Sequence, residues 1–345
     1  MDHALALSRK VLGRTSPNPP VGAVVLSAAG EIVGAGATQP PGGDHAEIVA
    51  LREAGEQARG GTMVVTLEPC RHTGRTGPCT EALLAAGVRR VVFGCVDPTT
   101  SAGGGAQVLR AAGLEVATDP AVDVAKGPLE AWLTSHRTGR PFVTWKYAAT
   151  LDGRSAAADG TSRWITSPAA RADAHRLRAE SDAVGVGIGT VLADDPELTV
   201  RPDPGHQPLR VVFDSEGRTP ATARVRNAAG PTLLVTSGPR PADVDVIVTA
   251  RHDLPGALQG LAERGVVSVL LEGGPHLAGS FITAGLVDRV VAYVAPALLG
   301  SGQPALAHAA VGTIAAATRL VLDEVVRVGN DVRLTARPTS QVQEA

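Results

Sequence analysis

Two hydrophobic rhythms alternate along the chain. Runs such as 21–26 (VGAVVL), 62–67 (TMVVTL) and 89–94 (RRVVFG) are short, β-branched and bounded by glycine, proline or polar residues, as buried strands are. Stretches such as 2–12 and 45–58 (HAEIVALREAGEQA) instead space their apolar residues every three or four positions, the period of a helix. The pattern predicts a helix over 2–12, strands at 21–26 and 31–36 around the turn Ala28-Ala29-Gly30, and a helix over 45–58 with Asp44 as its N-cap. It continues with a strand at 62–67, a helix over 78–86 opened by Pro78 and stopped by Gly87, a strand at 89–94, a helix near 105–112 and a strand at 114–117. Such alternation predicts an α/β sandwich around a mainly parallel sheet.

The polar stretch 135–141 (SHRTGRP) interrupts this series, and a second one follows. Its predicted strands are 142–147, 183–188, 209–213, 232–236, 245–248, 267–272 and 289–295, alternating with helices, and 319–326 with 331–337 reads as an antiparallel pair. A chain of 345 residues exceeds what one core usually supports. The expected organisation is a domain over 1–138, a second over 139–338 and a disordered tail over 339–345.

Composition narrows the class. Aromatics make up 3% of the chain, so both cores must be built from aliphatic side chains. A net charge of −2 with no basic patch speaks against a nucleic-acid binder. No apolar run reaches the roughly 18 residues of a membrane span, and the N-terminal MDHALALSRKVLG lacks the apolar centre of a signal peptide. Three cysteines are too few, and odd in number, for a disulfide framework. A cytoplasmic enzyme acting on a small molecule is expected.

The first half carries a metal-site pattern. His45 and Glu47 form an H-x-E; Cys70 follows Pro69, and Cys79 follows Pro78. His45 and Cys79 fall at predicted helix N-termini, where the helix dipole favours a thiolate. One imidazole and two thiolates leave a fourth tetrahedral position open, the catalytic rather than the structural zinc arrangement. Zinc lowers the pKa of a bound water to about 7, and the resulting hydroxide can attack a ring carbon bearing an amine. A carboxylate that is not a ligand must then move the proton, and Glu47 is the candidate. Zinc deaminases use one His, two Cys and a separate Glu, with the cysteines as C-x-x-C. Here eight residues separate Cys70 from Cys79, which points away from the nucleic-acid and cytidine deaminases. A regulatory module with structural zinc is the alternative of a different class, but such a site has no use for Glu47 and usually has four protein ligands. Cys95 ends a strand and reads as a small core residue.

The segments SPNPPVGAVV, GGDHAEIVAL, TLEPCRHTGRTGPC and VDPTTSAGGG resemble the deaminase half of the bacterial bifunctional riboflavin biosynthesis deaminase/reductase family, in which the long cysteine spacing is usual. The resemblance implies zinc at His45, Cys70 and Cys79, proton transfer by Glu47, and substrate contacts from Asn18, His72, Arg75 and Asp97. An amide at Asn18 suits a pyrimidine edge, and cations at His72 and Arg75 suit a phosphate. The family often has Asn after the Asp-Pro pair, whereas this chain has Thr99.

The second half carries K-x-A-x-T-L-D-G-R from Lys146, S-x-W-I-T-S from Ser162, TVLADDPELTVR from Thr190 and EGGPHL from Glu272. A glycine-rich strand-to-helix turn at 273–274 is a ready phosphate site, but no G-x-G-x-x-G fingerprint accompanies it. These segments resemble the reductase half of the same family. The resemblance implies an N-terminal cytidine-deaminase-like αβα sandwich joined to a C-terminal domain similar to dihydrofolate reductase. It implies NADPH contacts from Ala148, Trp164, Thr190, Asp194, Ser215 and the loop Gly274, Pro275, His276, Leu277, Ala278, Gly279 and Ser280. It implies substrate contacts from Lys146, Ser162, Arg178, Leu198, Arg201 and Glu272, with Arg178 and Arg201 suited to a ribose phosphate. The activity implied is deamination of 2,5-diamino-6-(5-phosphoribosylamino)pyrimidin-4-one, then NADPH reduction of the ribosyl group to ribityl, in a homo-oligomer. Lys146 is expected to polarise or protonate the opening sugar.

Overall fold

The computed structural model describes residues 1–72, 77–119, 126–201, 206–307 and 311–339. The chain divides into two compact units, Met1–Gly139 and Arg140–Ala345.

In the first unit the helices are α1 (Asp2–Arg9), α2 (Ala46–Ala54), α3 (Cys79–Ala85), α4 (Gly105–Ala111) and α5 (Glu130–Thr138). The strands are β1 (Gly22–Leu26), β2 (Ile32–Ala37), β3 (Thr62–Leu67), β4 (Arg90–Cys95) and β5 (Glu115–Thr118), in the order β2-β1-β3-β4-β5. The sheet is mixed, not mainly parallel: β1 runs antiparallel to β2 and β3, and only β3-β4-β5 are parallel. A short turn between β1 and β2 makes them a hairpin, which has to be antiparallel. His45, not Asp44, caps α2; the Asp44 carboxylate accepts from Arg52 at 2.6 Å. The predicted break at 135–141 begins later, because α5 runs to Thr138 and stops at Gly139 (φ +71).

This topology gathers the loops of interest. Because β1 is antiparallel to its neighbours, its first residue lies beside the C-terminal ends of β2 and β3, and Gly22 N–H donates to Thr66 Oγ1 at 3.1 Å. The segments after β2, β3 and β4 therefore leave the same edge, carrying His45, Cys70 and Asp97. Gly36 lets α2 approach that edge: a Cβ there would lie 2.5 Å from the Ala46 carbonyl oxygen and 2.7 Å from Ala50 N. Gly105 does the same for α4, which packs directly on the Pro69 carbonyl.

The second unit has strands β6 (Phe142–Thr150), β7 (Arg154–Ala156), β8 (Ala183–Gly187), β9 (Leu209–Phe213), β10 (Thr232–Thr236), β11 (Asp245–Val248), β12 (Ser268–Leu271), β13 (Arg289–Ala295), β14 (Gln303–Pro304), β15 (Leu320–Val328) and β16 (Asp331–Pro338). Its helices are α6 (Pro168–Ala179), α7 (Ile188–Asp194), α8 (Leu254–Ala262) and α9 (Pro275–Thr283). Nine strands form one sheet, β11-β10-β9-β8-β12-β6-β13-β16-β15, parallel from β11 to β13 and antiparallel at the β16-β15 end. Neighbouring residues feed opposite cores: Val211, Leu233 and Leu271 pack with Leu258 and Phe281 of α8 and α9, while Val212, Leu234 and Leu270 pack with Val191 of α7. Burial on both faces explains why these strands read as continuous apolar runs.

Candidate active sites

In the first unit, His45, Cys70 and Cys79 bring one nitrogen and two sulfurs within 4.8 Å of one another. His45 Nδ1 lies 3.2 Å from Cys79 Sγ and 3.6 Å from Cys70 Sγ. Each comes from a different element: His45 precedes α2, Cys70 follows β3, and Cys79 opens α3. The Cys79 backbone N–H at that helix start donates to Cys70 Sγ at 3.4 Å. The hydrogen bond with the Cys79 thiol, aided by His45, holds Cys70 down to about 4 against the effect of burial. Cys79 is pushed up by the same bond and by burial. Contact with Cys70 raises His45. An imidazole and two soft sulfurs converging this closely fit zinc, with one tetrahedral position left for a reacting molecule.

Glu47 sits in the first turn of α2, 4% exposed. Burial raises its carboxyl pKa, and the Cys70 charge adds to this against its own backbone N–H and His45. A carboxyl group whose pKa is raised holds a proton more readily, as a group that hands one on must.

Asp97 is buried, and its Oδ1 accepts from Thr99 N–H at 2.8 Å and Thr99 Oγ1 at 2.7 Å. The Thr99 hydroxyl thus serves the loop, also accepting from Ala102 N–H at 3.3 Å. Sequence reading missed Glu68. Its buried carboxylate accepts from Asp97 N–H at 3.2 Å and Ala106 N–H at 2.9 Å, tying the segment that carries Asp97 to the ligand Cys70 two residues on. Its place in LEPC, between a strand and a ligand, was the available signal. Asn18 is half-buried, and its backbone closes a turn with Thr15. His72 has a buried Nδ1 without a partner among the described residues. Arg75 lies outside the described residues.

In the second unit the register of β12 against β6 pairs Leu271 with Trp145, so β6 continues past the end of β12. Lys146 therefore meets Glu272, the first residue beyond β12, at 3.9 Å. Arg178 from α6 joins them with a bidentate pair, Nε to Glu272 Oε1 at 2.6 Å and Nη2 to Oε2 at 2.9 Å. All three side chains are at most 16% exposed. Burial opposes ionisation of Glu272, but Arg178 and Lys146 outweigh it and hold the carboxyl at about 2. Burial, with Arg178, lowers Lys146 against the pull of Glu272. Tyr293, which the sequence did not single out, lies under Lys146 with its ring centroid 5.7 Å from Nζ and its hydroxyl donating to Asp173 at 2.7 Å.

The remaining reductase positions lie around the C-terminal strand ends, where open α/β sheets take ligands. Thr190 Oγ1 accepts from Gly274 N–H at 3.2 Å, joining α7 to α9. A Cβ at Gly274 would meet only that hydroxyl, and one at Gly189 nothing within 4 Å, so backbone is open to a close-approaching phosphate. Residues 275–280 are the first turns of α9, not a loop. Ser215 follows β9, and its carbonyl accepts from Ser237 Oγ at 2.8 Å. Asp194 ends α7, with its carbonyl accepting from Arg163 at 2.7 Å. Trp164 is 68% exposed, stacked on Arg171 at 4.3 Å, and so stands free of any core. Ala148 and Ser162 are half-buried. The Leu198 side chain is buried in the core at 2% exposure with φ +57, which leaves only its backbone for a ligand.

Comparison with known proteins finds relatives of both units. Residues 1–95 match the cytidine and deoxycytidylate deaminase zinc-binding region, and residues 141–334 match the RibD C-terminal domain. Riboflavin biosynthesis protein RibD of Mycobacterium tuberculosis is 50% identical over 340 residues, covering 97% of this chain and 95% of the relative. RibD of Escherichia coli is 41% identical over 357 residues, covering 97% of each. The crystal structure of a diaminohydroxyphosphoribosylaminopyrimidine deaminase/5-amino-6-(5-phosphoribosylamino)uracil reductase from Thermotoga maritima superposes with a TM-score of 0.91 at 34% identity, covering 98% of this chain and 97% of that one. Acinetobacter baumannii RibD gives 0.89 at 39% identity, with the same coverage.

Proposed function

The chain belongs to the riboflavin biosynthesis protein RibD family, and from that premise we propose that its first unit performs the deamination and its second the reduction. It is a bifunctional enzyme of riboflavin biosynthesis that uses zinc and NADPH. The substrate is 2,5-diamino-6-(5-phosphoribosylamino)pyrimidin-4-one, whose ring amine is exchanged for a carbonyl oxygen before the ribosyl group is reduced to ribityl. The observation that carries this reading is the joint placement of His45, Cys70 and Cys79 around one point with buried Glu47 beside them.

When bound at His45, Cys70 and Cys79, zinc acidifies a water and supplies a nucleophile at neutral pH. Glu47 accepts the water's proton and returns it to the leaving amine, a shuttle that its raised pKa permits. Asn18 and Asp97 address the pyrimidine edge; His72 and Arg75 address the phosphate.

In the second unit NADPH supplies the hydride. Ala148, Trp164, Thr190, Asp194, Ser215 and the start of α9 would hold it, with the open backbone at Gly274 available to a phosphate. Lys146 delivers a proton to the ring oxygen of the opening sugar; its lowered pKa makes the ammonium the better acid. Glu272 keeps Lys146 in place, and Arg178, spoken for by Glu272, organises the site while Arg201 takes the phosphate. Ser162 and the Leu198 backbone complete the substrate contacts.

Two further features belong to this reading. The enzyme is a homo-oligomer through β15: this edge strand of the nine-stranded sheet exposes Leu320, Val321, Leu322 and Val325 over its two faces, apolar surface that a second copy would cover. It works in the cytoplasm, where thiol ligands such as Cys70 and Cys79 stay reduced; no described helix is long and apolar enough to cross a membrane.

The test is a paired assay on the purified protein with the diaminopyrimidinone substrate, following ammonia and NADPH separately. Ammonia release without NADPH, lost in Glu47→Gln while zinc stays bound, and NADPH oxidation only after that step, are the expected results. No ammonia from zinc-loaded protein sinks the substrate assignment.

A further inference from the structure

The segment 199–201 is extended and gripped from two sides. The Thr199 carbonyl accepts from Arg178 Nη1 at 3.0 Å, and the Arg201 backbone N–H donates to His175 Nδ1 at 3.2 Å. His175 and Arg178 are three residues apart on α6 and therefore share a face. Between these two contacts, Val200 turns the other way. Its N–H donates to Gln207 Oε1 at 2.8 Å, and its carbonyl accepts from Gln207 Nε2 at 3.3 Å. The alternation is that of an extended chain, so fixing the backbone of residue 201 fixes the direction of its side chain. That side chain is an exposed guanidinium with no hydrogen bond or ion pair among the described residues. Arg178, by contrast, has its guanidinium committed to Glu272 and Thr199.

We propose that His175 is the positioning residue for Arg201: its neutral Nδ1 anchors the backbone from which the Arg201 guanidinium meets the phosphate monoester of the reductase substrate. The inference rests on the assignment of Arg201 to that phosphate. Only an unprotonated Nδ1 can accept the Arg201 N–H; a protonated ring presents N–H at both nitrogens and sets donor against donor. The surroundings favour the neutral ring. Burial lowers its pKa most, followed by Arg178 on the same helix and Arg201 on the facing segment; Glu272 beyond β12 and the Thr199 carbonyl pull the other way without reversing the shift.

The chemistry selects the variants. Glutamine offers a carboxamide oxygen that can accept the same N–H and does not titrate; leucine offers no acceptor. Steady-state reduction is measured in the full chain with the deaminated phosphoribosyl substrate and with its dephosphorylated counterpart. His175→Leu is expected to raise KM for the phosphorylated substrate about 10-fold, the scale of one hydrogen bond. It should leave kcat, the KM for NADPH and turnover of the dephosphorylated compound within about 2-fold, a change too small to represent such a bond. His175→Gln should restore most of the loss. Below pH of about 6.5, KM for the phosphorylated substrate should rise more steeply in the wild type than in His175→Gln, in which the anchor cannot protonate. Equal loss on both substrates, a joint fall in kcat and NADPH affinity, or no rescue by glutamine overturns the role of His175. Arg201→Gln separates the premise: if it spares the phosphorylated substrate, the phosphate assignment itself fails; if it impairs that substrate while His175→Leu does not, the assignment stands and the anchor falls.

Discussion

Arg178 and Glu272 are joined by two parallel hydrogen bonds, at 2.6 and 2.9 Å, although they stand 94 positions apart in the chain. The fork fits a carboxylate in a way that lysine cannot, since lysine is a single point of charge. Glu272 in turn faces Lys146, so three ionised groups depend on one another in a site almost closed to water. Replacing Glu272 by alanine leaves two buried cations facing each other. We expect a loss of about 3–5 kcal/mol in the stability of the second unit and of NADPH oxidation, with ammonia release retained. Denaturation followed together with the two assays checks this.

The same pair sets a pH dependence. The Glu272 carboxyl titrates at about 2 in the folded protein and at about 4.3 when unfolded. A depressed carboxylate contributes stability that is complete above the unfolded value and disappears as pH falls through the folded one. The window is therefore roughly pH 5 to 2, and the contribution is on the order of 3 kcal/mol. Glu272→Gln should flatten the acid limb of a stability curve across that window while leaving its slope near pH 7 unaltered. A variant whose acid limb matches the wild type contradicts the assignment.

Arg140 and Asp288 form the corresponding structural clamp. Nη1 and Nη2 of Arg140 donate to the Asp288 carboxylate at 2.7 and 2.8 Å, and Asp288 also accepts from Val143 N–H at 2.7 Å. Asp288 is 2% exposed, so removing its partner strands a buried charge. Arg140→Ala should destabilise the second unit by about 3–5 kcal/mol and lower its urea midpoint without moving any site residue. An unchanged midpoint would mean that water replaces the guanidinium at no cost.

The strands were legible because burial on both faces makes them β-branched runs, as in 209–213 and 232–236, where no helix period competes. What local pattern cannot carry is partnership. Nothing in 21–26 says that its neighbours will be one hairpin strand and one distant strand, both antiparallel. α5 escaped because EAWLTSHRT is polar and β-branched enough to look like the start of a linker. The zinc-site pattern was readable, since His, Glu, Cys and Cys in that order have few other uses together. His175 and Tyr293 were not: each acts by touching a residue far away in the sequence, and their residue types are common on ordinary helices and strands.

Thr99 offers a local test in the first unit. Its hydroxyl donates to Asp97 Oδ1 at 2.7 Å and its N–H to the same oxygen at 2.8 Å, so the loop occupies one carboxylate oxygen, and the proposed substrate contact falls to the other. An asparagine here carries an amide N–H that can replace the hydroxyl as donor. Alanine keeps the backbone N–H and loses the side-chain donor. Thr99→Ala should therefore lower deaminase kcat/KM by about 10-fold, the scale of one hydrogen bond to a charged group. Thr99→Asn should hold within about 3-fold of the wild type if it recovers most of that bond. Zinc content should be the same in all three proteins, because Asp97 is bonded through Glu68 and not to the ligands themselves. Loss of zinc in Thr99→Ala would instead show that the 97–106 segment supports the metal site, and equal activity in alanine and threonine would remove Asp97 from the substrate's reach.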